Sequence, residues 1–172
     1  MEIAVLTHVP FEGPAAIAAW AESRGHRLNV VHLYRGDVIP ATFDWLIIMG
    51  GPMGAMDDER YPWFRAEKQA IGQSIRSGRT VVGICLGAQL IAAVPGARVF
   101  RNAEREIGWF GRVLGLQFHL EANRESIESL MRECPADLLP GTFVQTKEAI
   151  LSQMPEHTTL FALLDALDNQ HA

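Results

Sequence analysis

The chain has 172 residues, 48% of them apolar and 20% charged, which at roughly 150 residues per domain is one domain of ordinary globular composition. Disordered, collagenous and disulfide-scaffold classes are excluded on that composition. Fifteen Lys and Arg against twenty Asp and Glu leave a formal charge of −5 with no basic cluster, so a nucleic-acid partner is not expected. Met1 to Leu6 lacks the basic start of a secretory signal, and its apolar run breaks at Thr7-His8. No apolar stretch approaches the roughly 20 residues of a membrane span. The two cysteines, Cys85 and Cys134, form no CxxC, so neither a disulfide framework nor a metal site is suggested. The expectation is a single cytoplasmic domain over residues 1–172, with free thiols and no membrane partner.

In chain order, Glu2 to Leu6 is a β-prone run, and Ala16, Ile17, Trp20 and Ala21 then recur at helical spacing up to Gly25. Arg27 to Leu33 predicts a second strand. Asp44 to Met49 predicts a third, apolar along its length as a strand covered on both faces would be. Phe64, Lys68, Ile71 and Ile75 share one face of a helix that stops at Gly78, and Thr80 to Ile84 is a fourth strand leading into Cys85-Leu86-Gly87. A short helix follows from Leu86 to Ala93. Ala97 to Phe100 and Val113 to Phe118 then read as strands with no helix between them. Asn123 is placed to cap a helix carrying Ile127, Leu130 and Met131, and Thr158 to cap one carrying Leu160, Leu163, Leu164 and Leu167. Alternating strands and helices imply an α/β domain, with a doubly wound, mostly parallel sheet flanked by helices.

Gly83-Ile84-Cys85-Leu86-Gly87 has the form of a nucleophile elbow with Cys in place of Ser. The glycines permit a sharp turn, and the positive end of the following helix favours the thiolate, the reactive form of cysteine. The plain alternative is a buried Cys in a Gly-rich turn. In Gln117-Phe118-His119-Leu120-Glu121, a strand would point His119 and Glu121 to the same face, so that the carboxylate could hold the imidazole. A Cys beside a His oriented by a carboxylate is the triad logic of acyl transfer. The alternative there is a surface His-Glu pair. Gly50-Gly51-Pro52-Met53-Gly54 follows the third strand, at the carboxyl end where open α/β sheets place their ligand crevice. The N–H of Gly51 could face developing negative charge together with that of Leu86, or the segment could be a plain turn.

Taken in order, Gly50-Gly51-Pro52, Gly83-Ile84-Cys85-Leu86-Gly87-Ala88-Gln89 and Gly115-Leu116-Gln117-Phe118-His119-Leu120-Glu121 resemble the signatures of class I glutamine amidotransferases. Gly96-Ala97-Arg98-Val99, Glu106-Ile107-Gly108-Trp109 and the region around Val144-Gln145 are similar to the stand-alone, GMP-synthase-like members. The resemblance implies a flavodoxin-like fold and hydrolysis of glutamine to glutamate and ammonia. It makes Cys85 the nucleophile, His119 the general acid/base and Glu121 its partner, with Gly51 and Leu86 forming the oxyanion hole and Gln89 near the bound glutamine. It implies no metal or organic cofactor, and a synthetase or other acceptor as partner for the ammonia. The sequence departs from the family after Phe110, where it runs almost directly into Gly111-Arg112-Val113 and lacks a segment that relatives use to wall the glutamine pocket.

Two other readings stay open at this stage. The same three residues could serve another amide or γ-glutamyl substrate, or the chain could be a non-catalytic binding or partner subunit with a vestigial triad. His8, Glu12 and Gly13, after the first strand, lie on the crevice side and could touch a substrate or acceptor. His26, His32, His157 and His171 read as partly exposed, non-catalytic positions, Trp20, Trp45 and Trp63 as packing residues, and Cys134 as an inert thiol.

Overall fold

The structure, a computed structural model, describes residues 1–99, 108–110, 113–116, 119–138, 146–152, 154 and 156–170. Its strands are β1 (Glu2–Thr7), β2 (Arg27–His32), β3 (Trp45–Ile48), β4 (Thr80–Ile84), β5 (Gly108–Phe110) and β6 (Val113–Leu116). Its helices are α1 (Ala16–Ser23), α2 (Trp63–Arg76), α3 (Leu86–Ala93), α4 (Arg124–Glu133), α5 (Lys147–Ser152) and α6 (Thr158–Asp168). The strands make one sheet in the order β2-β1-β3-β4-β6-β5. The first five in that order run parallel, and β5 pairs antiparallel with β6. This is the doubly wound, flavodoxin-like arrangement, in which ligands bind at the carboxyl ends of the strands near the point where strand order reverses.

Period-two alternation sends each strand's side chains to two separate cores. Ile3, Val5, Trp45, Ile47, Val82 and Ile84 pack with Ile17 and Trp20 of α1 and with Leu160, Leu164 and Leu167 of α6. Ala4, Leu6, Leu46, Ile48 and Val81 pack on the opposite face with Phe64 and Ile71 of α2 and Leu86, Leu90 and Ile91 of α3. β3 and β4 are buried along their whole length, which is why they read as continuous apolar runs. The first core is also tied at its rim. Trp20 stacks on Trp45 with ring centroids 5.6 Å apart, and its Nε1–H donates to Asp165 of α6 at 2.8 Å, beside the Arg24–Asp165 ion pair at 2.7 Å.

Several elements differ from the sequence expectations. Ala97 to Val99 is not a strand, because its backbone begins by closing α3: the Gly96 and Ala97 N–H groups donate to Ala93 and Ala92. Phe100 lies outside the described residues. β5 takes up the antiparallel edge instead, with Phe110 opposite Val113. β6 ends at Leu116, with Gln117 and Phe118 outside the described residues. Asn123 caps α4 as expected, in a capping box with Ser126. Thr158 instead begins α6 inside the helix, and His157 holds the cap position. On α2 the buried stripe takes in Glu67 as well as Phe64 and Ile71, while Lys68 is only partly covered. Val144 and Gln145 lie outside the described residues.

Candidate active site

Four loops converge where β1, β3, β4 and β6 end. Cys85 connects β4 to α3 with φ 51° and ψ −106°, a backbone state that a side-chain-bearing residue occupies only at a cost of about 1–3 kcal/mol. Tertiary packing holds it there. A methyl group on Gly83 would lie 2.6 Å from the Gly87 carbonyl carbon and 2.7 Å from the Ala88 nitrogen, and one on Gly87 would overlap the Ile48 carbonyl. Only glycines at these two positions let α3 drop directly onto β3 and β4 and aim its first turn at Cys85. The Cys85 N–H donates to Leu116 O at 2.6 Å, fixing the elbow to β6 as well.

His119 and Glu121 were expected on a strand. They lie instead in the loop between β6 and α4, yet their side chains meet: His119 Nδ1–H donates to Glu121 Oε1 at 2.7 Å. That loop is fixed from three sides. The Ala16 N–H donates to the Glu121 carbonyl at 3.0 Å, His157 Nε2–H donates to the Ala122 carbonyl at 3.0 Å, and the Asn123 capping box follows. The Glu121 side chain is 5% exposed and that of His119 27%. Burial alone would lower the His119 pKa, but hydrogen bonds to Cys85 and Glu121 and the charges of both outweigh it and push it up to about 10. The imidazole is therefore held protonated between a sulfur and a carboxylate.

The Gly50-Gly51 loop lies across from the elbow. A methyl group on Gly51 would sit 3.1 Å from Leu86 Cδ2, and one on Gly50 would sit 3.1 Å from His119 Cε1. Gly51 and Leu86, the expected oxyanion donors, are thus neighbours, and Leu86 begins α3 where helical N–H groups lack partners within the helix. Gln89 lies one turn further on, its N–H bonded to the Cys85 carbonyl at 3.2 Å. The structure therefore brings all six sequence-predicted residues to one end of the sheet. A separate cleft of about 380 Å³ along α2, lined by Phe43, Trp63 and Arg79 among others, includes none of them.

His8 and Glu12 stand at the crevice end as expected, but the burial of Glu12 and the pairing of His8 with Glu67 were not assigned from sequence. Glu12 crosses over Gly50 with its Oε2 buried and without a hydrogen-bond partner among the described residues. Burial pushes its carboxyl above the ordinary range, against the pull of the His119 and His8 charges. His8 is fully buried and cannot touch a substrate. Its ring bonds to Gly50 O at 2.9 Å and to Glu67 Oε1 at 2.8 Å. The one local signal for this pair was a carboxylate at position 67 on the apolar stripe of α2. Among the described residues no cluster of three or more His, Cys, Asp or Glu could hold a metal, and no helix is long and apolar enough to cross a membrane.

The sequence profile of class I glutamine amidotransferases matches residues 15–113, and the chain belongs to that family. The matched stretch takes in Gly51, Cys85, Leu86 and Gln89 and ends before His119. The glutamine amidotransferase-like protein YfeJ of Salmonella typhimurium is 38% identical over 116 residues, 64% of this chain and 48% of YfeJ. The chain thus spans about half the length of that curated relative. Among solved structures, SMU.1228c superposes with a TM-score of 0.83 at 25% identity, covering 98% of this chain and 100% of the other. A glutamine amidotransferase from Thermotoga maritima gives 0.84 at 19% identity over 99% and 97% of the two chains. One from Methylobacillus flagellatus gives 0.76 at 20% over 93% and 89%. These last two likenesses bear on the fold alone.

Proposed function

We propose that the chain hydrolyses the side-chain amide of glutamine. Cys85 Sγ attacks the amide carbonyl carbon, and the negative charge moving onto the carbonyl oxygen is met by the N–H groups of Gly51 and Leu86. The carbon–nitrogen bond then breaks, and His119 gives its proton to the departing amine, which leaves as ammonia. The γ-glutamyl thioester that remains is attacked by water. His119 takes a proton from that water, the carbon–sulfur bond breaks, and glutamate leaves. Glu121 orients the imidazole and balances its charge throughout. Gln89 is assigned to the glutamine pocket, and the ammonia passes to an acceptor, supplied by a synthetase partner.

The observation that carries this reading is the linked set Cys85–His119–Glu121, with the sulfur on a strained elbow and a proton held on the imidazole. Membership of the family supports glutamine over other amides. In a glutaminase assay, Cys85→Ala abolishes ammonia release while circular dichroism stays unchanged, and Cys134→Ala has little effect. Ammonia release that persists in pure Cys85→Ala protein would refute the mechanism.

A further inference from the structure

We infer that His8 and Glu67, a buried pair outside the reacting groups, set the orientation of the peptide that supplies the Gly51 oxyanion donor. The inference rests on the functional reading above only in taking Gly51 N–H as that donor. The carbonyl of Gly50 can only accept, so the 2.9 Å contact is a hydrogen bond donated by His8 Nδ1–H. The described peptides include no cis bond, so the C=O and N–H of the Gly50–Gly51 unit point in opposite directions. Holding the carbonyl towards His8 therefore turns the Gly51 N–H away from His8.

His8 itself has no freedom. Nε2–H donates to Glu67 Oε1 at 2.8 Å, both side chains are 0% exposed, and the ring meets Phe64 edge-on at 6.1 Å. Glycines at 50 and 51 carry no side chain to fix their own backbone, so this bond restrains rotation of the peptide between them. Glu67 keeps one oxygen buried with no hydrogen-bond partner among the described residues. A buried pair so incompletely satisfied contributes little net stability compared with apolar residues of similar size. Its effect is geometric, and His8 and Glu67 act as positioning residues.

The test separates two reactions of the same sulfur. Acylation of Cys85 by p-nitrophenyl acetate passes through a tetrahedral oxyanion, whereas alkylation by iodoacetamide does not. The variant His8→Leu/Glu67→Met replaces the pair with apolar side chains and avoids stranding one charge. His8→Asn/Glu67→Met differs from it only in restoring an N–H donor near the former Nδ1. The expected result is a fall of about 100-fold in the acylation-to-alkylation ratio for the Leu/Met variant, the scale of losing one oxyanion donor, with most of it regained in the Asn/Met variant. An unchanged ratio in a folded Leu/Met variant overturns the inference. So does a wild-type ratio no higher than that of free cysteine, or an Asn/Met variant no better than Leu/Met. If the wild-type protein acylates rapidly and the variants behave as expected while glutamine is not hydrolysed, the functional reading fails and the positioning role stands.

Discussion

His119 is the residue whose state most directly depends on its neighbours. Its pKa is raised from 6.5 to about 10 despite burial, so the stabilisation it gives the fold is complete below about pH 6.5. It declines as pH rises and is lost near pH 10. Because the hydrogen bond to Cys85 is one of the two that raise it, Cys85→Ala lowers the midpoint. Imidazole NMR of the wild-type protein shows His119 charged across the neutral range, and Cys85→Ala brings its titration towards that range. An identical midpoint in both proteins contradicts the coupling. At this scale the residues proposed for the chemistry were legible as candidates in the sequence, because the proposed chemistry needs particular atoms on a turn flanked by glycines. The sequence did not carry the His8–Glu67 pair, whose members are 59 residues apart and meet only when α2 packs on the sheet. Nor did it carry the burial of Glu12, which depends on where the Gly50 loop comes to lie.

The elements that form the sheet interior were legible because burial on both faces leaves an unbroken apolar run. The edges were not. β5 is three residues long, too short to show any period, and its existence depends on pairing with β6. Ala97 to Val99 carries strand-like residues but spends its first hydrogen bonds on the end of α3. Alternation puts His119 and Glu121 on one face only of a strand, and the side chains meet in a loop instead, brought together by α1, α4 and His157 holding that loop. The glycines of the elbow give a prediction for α3. Gly87→Ala, which forces a methyl into the Ile48 carbonyl, destabilises the protein by about 1–3 kcal/mol. Gly13→Ala, with nothing within 4 Å of the added carbon, leaves stability unchanged. Thermal unfolding of the two variants beside the wild type checks this, and equal melting temperatures for Gly87→Ala and wild type would disprove the close approach of helix and sheet.

On the scale of the whole molecule, the groups proposed for chemistry and those proposed for binding come from different parts of the chain. The elbow, the Gly51 loop and the His119 loop are all built on the sheet. The family resemblance implies a further segment after Phe110 that walls the glutamine pocket, whereas here β5 and β6 follow each other as an antiparallel pair. The expected outcome is a reactive sulfur with poor substrate positioning. Iodoacetamide labels Cys85 faster than Cys134 near neutral pH, while glutamine turnover stays weak, since misplacement alone costs orders of magnitude in rate. Grafting the corresponding segment of a longer relative after Phe110 raises kcat/KM for glutamine and leaves labelling nearly unchanged. Turnover by the unaltered chain at the rate of longer relatives would show that the pocket is walled in another way.

The tie between the first and last helices has an optical consequence. Trp20 is fully buried, stacked on Trp45, and its indole N–H ends on a carboxylate that belongs to α6. Emission from this ring therefore reports the docking of α6. Any event that lifts the helix from the sheet exposes the indole to water and shifts its fluorescence to the red, even while the strands beneath stay paired.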